Sequence, residues 1–188
     1  MYVKKDYAKL KGMAGFSDLA LDTHFALYEA YVNNTNKVLE LLESSAKDSL
    51  AYAELKRRLG WEFDGMRLHE YYFGNLGGDG DVDKAGTLKK AMAENFGSID
   101  KWREDFLATA KMRGIGWAAL YQDRDSGRLI NFWINEHDGG HPAGQKLLLI
   151  IDVFEHAYFP DYGKDRAAYI EAFMKNIDWV AAEERFVK

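Results

Sequence analysis

Asp152 and His156 stand four residues apart at the end of an apolar run, Leu147 to Ile151, with Phe154, Glu155, Tyr158 and Phe159 around them. The run reads as a buried strand. A carboxylate at the end of such a strand is costly unless its charge is balanced. A metal ion shared with the imidazole would balance it; a simple hydrogen-bonded pair is the plainer use of the same two residues. A metal requires further ligands, and with no cysteine in 188 residues they must come from the five histidines and from carboxylates. Such hard or borderline donors suit Mn, Fe or Zn. His24 and His69 complete a possible set of three imidazoles and one carboxylate drawn from three separated segments. That set leaves one position for water or substrate. Spacing alone does not separate it from ordinary helix histidines in the core or on the surface.

The elements that must carry these residues follow from periodicity. Residues 1–16 are short and mixed and read as an arm. Ser17 caps a helix whose apolar positions run from Leu19 to Leu42, with His24 and Tyr31 seven apart and therefore on one face. Asn33 to Asn36 offers a place to bend, not a reason to stop. Helical patterns follow at about 46–59 and, after Gly60, at 62–73, the second carrying His69 among aromatics. The segment 74–83, rich in Gly and Asp, reads as a linker. The expectation is thus an N-terminal antiparallel α-hairpin (1–83) and a C-terminal α/β domain (84–188), with the metal between them. In the second half, 84–96 and 99–111 read as helices, the latter opened by Ser98. Gly116 to Tyr121 and Leu129 to Ile134 read as strands around a hairpin turn at 123–127. A loop with His137 and His141 precedes the strand Leu147 to Ile151, and 166–176 and 178–186 read as closing helices. The class is α+β with a three-stranded antiparallel sheet.

Composition narrows the function. A net charge of −5 argues against a general nucleic-acid binder and against an anionic membrane surface. No apolar run approaches the roughly 20 residues that span a bilayer. No apolar segment follows Met1–Asp6, so a signal peptide is not expected and the cytoplasm is the expected compartment.

Asp152-Val153-Phe154-Glu155-His156-Ala157-Tyr158 resembles the Asp-x-Trp-Glu-His-Ala-Tyr signature of the iron/manganese superoxide dismutases. Phe96-Gly97-Ser98 with Phe106 is similar to a helix opening of that family, and Gly114-Ile115-Gly116-Trp117 to its Gly-Ser-Gly-Trp strand. Tyr169-Ile170, Phe173 and Asp178-Trp179 resemble its closing helices. Upstream, His69 with Tyr72 and Tyr31-Val32-Asn33-Asn34 resemble its ligand helices. The resemblance covers nearly the whole chain and is dense after residue 90.

The resemblance implies one Fe or Mn per subunit, held by His24, His69, Asp152 and His156, and conversion of superoxide to oxygen and hydrogen peroxide by cycling between +3 and +2. It implies an aromatic shell of Trp117, Phe154 and Tyr72, and a homodimer or homotetramer in which Glu155 pairs with the other subunit's ligand imidazole. It makes Tyr31 the gateway residue and Arg166 the candidate charge that steers superoxide.

This chain departs from the family pattern at several points. His24 and Tyr31 are seven apart where the family has eight, which implies the loss of a π-bulge. The family's intervening His is absent around Leu27, Tyr28 and Glu29, and its partner Tyr is Phe159, so Tyr28 becomes the expected substitute in the hydrogen-bond relay. Leu27 replaces the family's Lys beside the first ligand. The helix position that carries a Gln in many iron-type members is Gly65, and the strand-loop Gln of manganese-type members is His137, followed by Asp138. Members similar to this chain in having His there favour iron or accept either metal, which tips the expectation to iron. Two other readings are a non-catalytic member of the same fold, against which all four ligands speak, and a mononuclear iron oxygenase with two His and one carboxylate, which would want more open positions.

Overall fold

The computed structural model describes residues 1–186. Two long helices lead: α1 (Asp18–Ser44) and α2 (Leu50–Phe73). They are antiparallel, joined by five residues, and each is opened by a serine whose hydroxyl accepts a backbone N–H, Ser17 from Ala20 and Ser49 from Tyr52. α1 passes through Asn33 to Asn36 without interruption. α2 is one helix where two were expected, because Gly60 does not break it. A single helix glycine costs only about 1 kcal/mol, too little to end a helix of 24 residues; a Cβ at Gly60 would be in ordinary contact with Asp138 at 3.7 Å.

The N-terminal arm is bound tightly to the hairpin. It contains a 3-10 turn at Ala8–Leu10, Tyr7, Leu10 and Phe16 are buried, and Tyr2 exchanges backbone hydrogen bonds with the Asn36 amide. After α2 the Gly/Asp-rich stretch is fastened to the far end of the chain. Leu76 bridges Ile177, and Gly78 and Gly80 donate to the carbonyls of Asn176 and Ile177.

α3 (Gly86–Phe96) and α4 (Ile99–Ala110) follow, the second capped by Ser98. Then come β1 (Gly116–Gln122), β2 (Leu129–Asn135) and β3 (Lys146–Asp152), all antiparallel in the order β2-β1-β3. β1 is central and buried along its whole length, and β3 is buried from Leu147 to Asp152. The register sets Trp117 opposite Asp152. α5 (Glu155–Tyr162), α6 (Arg166–Lys175) and α7 (Trp179–Arg185) close the chain. α5 was not expected as a helix: it has eight residues, and Pro160 inside it removes a backbone donor. It matters, because it carries His156 back over the end of β3 toward α1.

Candidate metal centre

Asp152 is the last residue of β3 and fully buried. Its Oδ1 accepts the Phe154 backbone N–H at 2.9 Å, which fixes the carboxylate and leaves Oδ2 facing inward. Three imidazole Nε2 atoms converge on that oxygen: His24 at 3.2 Å, His156 at 3.0 Å and His69 at 3.5 Å. His24 comes from α1, His69 from α2 and His156 from the first turn of α5. Four side chains from three separated segments thus meet at one point, with their ligand atoms all within 4.8 Å of one another.

The donor chemistry of this group calls for a cation. The His69 Nδ1–H donates to the Gly65 carbonyl at 2.5 Å. Its Nε2 therefore carries a lone pair, and that atom is buried without a hydrogen-bond partner. A lone pair aimed at a carboxylate is repulsive unless a positive centre lies between them. Protonating the imidazoles is a poor remedy, since burial lowers His24 and drives His69 well below its ordinary value. Burial acting alone would raise Asp152, but His156 and His24 outweigh it and hold the carboxyl below the usual carboxylate range. The group is a carboxylate ringed by nitrogen donors, and metal bonds of about 2 Å would fit within its span. Three nitrogens and one oxygen suit Mn, Fe or Zn.

An aromatic wall encloses the cage, and each expected member faces one imidazole. Tyr72 lies 5.3 Å from the His24 ring, Trp117 5.0 Å from His69, and Phe154 5.2 Å from His156, all between centroids. Behind the wall, the Tyr169 hydroxyl donates to the Asp152 carbonyl at 2.7 Å and lies 3.0 Å from the Tyr72 hydroxyl. Sequence reasoning named Tyr169 only within the closing-helix resemblance and not for this contact; a further signal is a tyrosine in an otherwise apolar helix face.

Outside the cage runs a chain of three side chains whose proton positions follow from their chemistry. The Trp117 indole can only donate, and its Nε1–H points at His137 Nδ1 at 3.2 Å. Nδ1 is therefore an acceptor, so in the neutral ring Nε2 bears the proton. Burial pushes His137 down to about 4, which keeps it neutral. Nε2–H then donates to the Tyr31 hydroxyl at 2.7 Å, and the Tyr31 O–H is free to donate elsewhere. Burial pushes Tyr31 up to about 12, so that proton stays on the phenol. Tyr31 stacks on His69 with centroids 5.3 Å apart. Gly65 makes this possible: a Cβ there would sit 2.6 Å from the Tyr31 ring. Trp61, absent from the sequence-level set, closes the outer side of His137 at 4.8 Å.

The remaining expected residues lie further out. The Tyr28 hydroxyl accepts from the Lys5 N–H at 3.0 Å and donates to Glu70 Oε1 at 3.1 Å, which puts it in the network holding the arm and not in the Tyr31–His137 pair. Glu155 is exposed on α5, and Phe159 is 60% exposed on the same helix. Arg166 donates to the Gly114 carbonyl at 3.0 Å and lies over the Trp133 and Tyr158 rings. No ion pair joins it to a carboxylate among the described residues.

An α-hairpin on a three-stranded antiparallel sheet, with one three-imidazole, one-carboxylate cage between them, defines a mononuclear metal-site protein. The comparisons say which kind. Residues 84–185 match the model of the iron/manganese superoxide dismutases, C-terminal domain. The chain is 37% identical to a superoxide dismutase [Fe] of Aquifex pyrophilus over 98% of its length and 90% of that protein's. It is 37% identical to one of Cupriavidus metallidurans, covering 93% of this chain and 90% of the relative. It is also 34% identical to a superoxide dismutase [Mn] of Haloferax volcanii, over 88% of this chain and 82% of the relative. The chain belongs to the iron/manganese superoxide dismutase family.

Proposed function

We propose that this protein disproportionates superoxide, two superoxide anions and two protons giving one oxygen molecule and one hydrogen peroxide, at a single metal held by His24, His69, Asp152 and His156. The convergence of three Nε2 atoms on one buried carboxylate oxygen is the observation that carries this reading. When bound, an iron or manganese ion supplies the one-electron acceptor for the first superoxide and the donor for the second.

The chain supplies the rest. Asp152 contributes the negative charge that favours the oxidised metal, and Tyr169 and the Phe154 N–H hold that carboxylate in place. Tyr72, Trp117 and Phe154 exclude water, which strengthens every charge interaction inside. Tyr31 presents a phenol proton at the mouth of the cage, and the His137 Nε2–H, oriented by Trp117, stabilises the phenol oxygen as that proton leaves. Tyr28 backs the cage, its ring 6.4 Å from that of His69. Arg166, with no carboxylate partner among the described residues, provides positive charge toward which the anion is drawn.

We assign iron as the preferred metal, supported by the 37% identity to the two iron-named relatives against 34% to the manganese-named one, and by His137 at the outer position. Exposed Glu155 and Phe159 on α5 support association through that helix into a symmetric dimer, alone or doubled into a tetramer. The cytoplasm is the compartment we assign, and among the described residues no helix is long and apolar enough to cross a membrane. Reconstituting the metal-free protein separately with iron and with manganese, then measuring superoxide decay by pulse radiolysis, tests the reading. Bound metal with no acceleration of superoxide decay in either form would sink it; turnover only with manganese would reverse the assignment of iron.

A further inference from the structure

The loop that carries His137 is short and strained. Glu136, next to His137, has φ +52°, a left-handed conformation that a side chain with a Cβ rarely adopts. Asn135 and Gly139 close the loop on itself by exchanging backbone hydrogen bonds of 2.7 and 3.1 Å. Such a segment keeps its shape only when its surroundings hold it. One face of α2 provides the seat. Gly60 lies against Asp138, Trp61 against the His137 ring, and Gly65 against Tyr31. Asp64, on the same face, meets His141.

His141 takes part in no step described above, yet it touches three groups. Its Nε2 lies 2.8 Å from the His137 carbonyl. A carbonyl only accepts, so Nε2 carries the proton and donates. Its Nδ1 lies 3.3 Å from the Tyr121 hydroxyl, which donates to it. Asp64 Oδ2 lies 3.6 Å from Nε2 and places negative charge beside the donated proton. The imidazole thus joins the central strand, α2 and the backbone of His137.

We propose that His141, oriented by Asp64 and Tyr121, is a positioning residue that holds the His137 backbone so that its ring stays bonded to Tyr31. The inference rests on the role given to His137 in the proposed reaction. Its test uses two substitutions with opposite content. His141→Phe keeps a ring and removes both nitrogens, whereas His141→Gln gives up the ring and keeps an N–H donor.

The ring ¹⁵N resonances of His137 are read in zinc-loaded protein, which is diamagnetic, and turnover is read in iron-loaded protein. His141→Phe should bind a full complement of metal, shift the His137 resonances, and lose turnover about 10–100-fold, the usual cost of disturbing an outer partner of a metal site. His141→Gln should restore both. Unchanged His137 resonances in His141→Phe overturn the proposal, and so does a His141→Gln variant as impaired as the Phe variant. If His141→Phe does not accumulate folded, Asp64→Asn replaces it: a smaller shift in the same resonances is expected, and no shift overturns the clamp. His137→Ala separates the two ideas. Unchanged turnover there defeats the role of His137 itself, while the resonances in the His141 variants still decide whether His141 positions it.

Discussion

The cage and the relay around it were built under different constraints. Inside, His24, His69, Asp152 and His156 occupy the positions at which the family resemblance places metal ligands. Outside, the same resemblance keeps Tyr31 and Trp117 but sets Gly65 and His137 where the family has glutamine donors, and Phe159 and the helix around Tyr28 where it has a second hydrogen-bonded pair. A metal cage has few solutions, because three neutral nitrogens and one anionic oxygen must sit at bonding distance of one point. A hydrogen-bond chain has many, because it asks only that donors and acceptors alternate. Trp117, His137 and Tyr31 satisfy that rule with a histidine at the middle position. The seven-residue spacing from His24 to Tyr31 goes with a regular α1, and the missing side chain at Gly65 gives Tyr31 its place.

The comparison can be broken at its strongest point first. His69→Ala should abolish metal retention and dismutation together, measured as metal per chain and superoxide decay. A loaded and active variant would defeat the ligand assignment. Tyr31→Phe attacks the relay and should leave the metal in place while lowering turnover on the order of 10²-fold, in line with loss of a positioned proton donor. If its metal content falls as well, the two regions are not separable. Gly65→Ala tests the steric link between them: its methyl meets the Tyr31 ring at 2.6 Å, so about 1–3 kcal/mol of stability should be lost. Urea denaturation reads that loss, and turnover should fall with metal retained. Tyr169→Phe removes the donor to the Asp152 carbonyl and should cost about 1–2 kcal/mol, again by urea midpoint, with metal still bound. Ser17→Ala lies outside both regions and serves as the control. Loss of its helix cap should cost about 1 kcal/mol and change neither metal content nor turnover.

Much of the scaffold could be read from local pattern. Ser17 and Ser98 announced their helices, the Asp123–Gly127 turn announced its hairpin, and the apolar run before Asp152 announced a buried strand. The misses were also local. Gly60 looked like a helix boundary, but one glycine costs too little to end a 24-residue helix. The residues 155–162 were not read as a helix, because eight residues with an internal proline carry too little periodicity to stand out.

By its residue types alone, the chain determined that any metal would be bound by imidazole and carboxylate, since it has no cysteine to offer. The spacing of Asp152 and His156 also marked one place where a shared partner for carboxylate and imidazole could lie. Hydrogen-bond direction was decided only in the fold. That Trp117 makes His137 a donor to Tyr31 depends on which atoms face each other across segments up to about a hundred residues apart; His69 turns its Nδ1 to Gly65 within its own helix, and only the fold brings Asp152 to the Nε2 left over. A sequence lists donors and acceptors. Tertiary packing aims them, and in a buried site the aim decides which nitrogen holds a proton and which holds a metal.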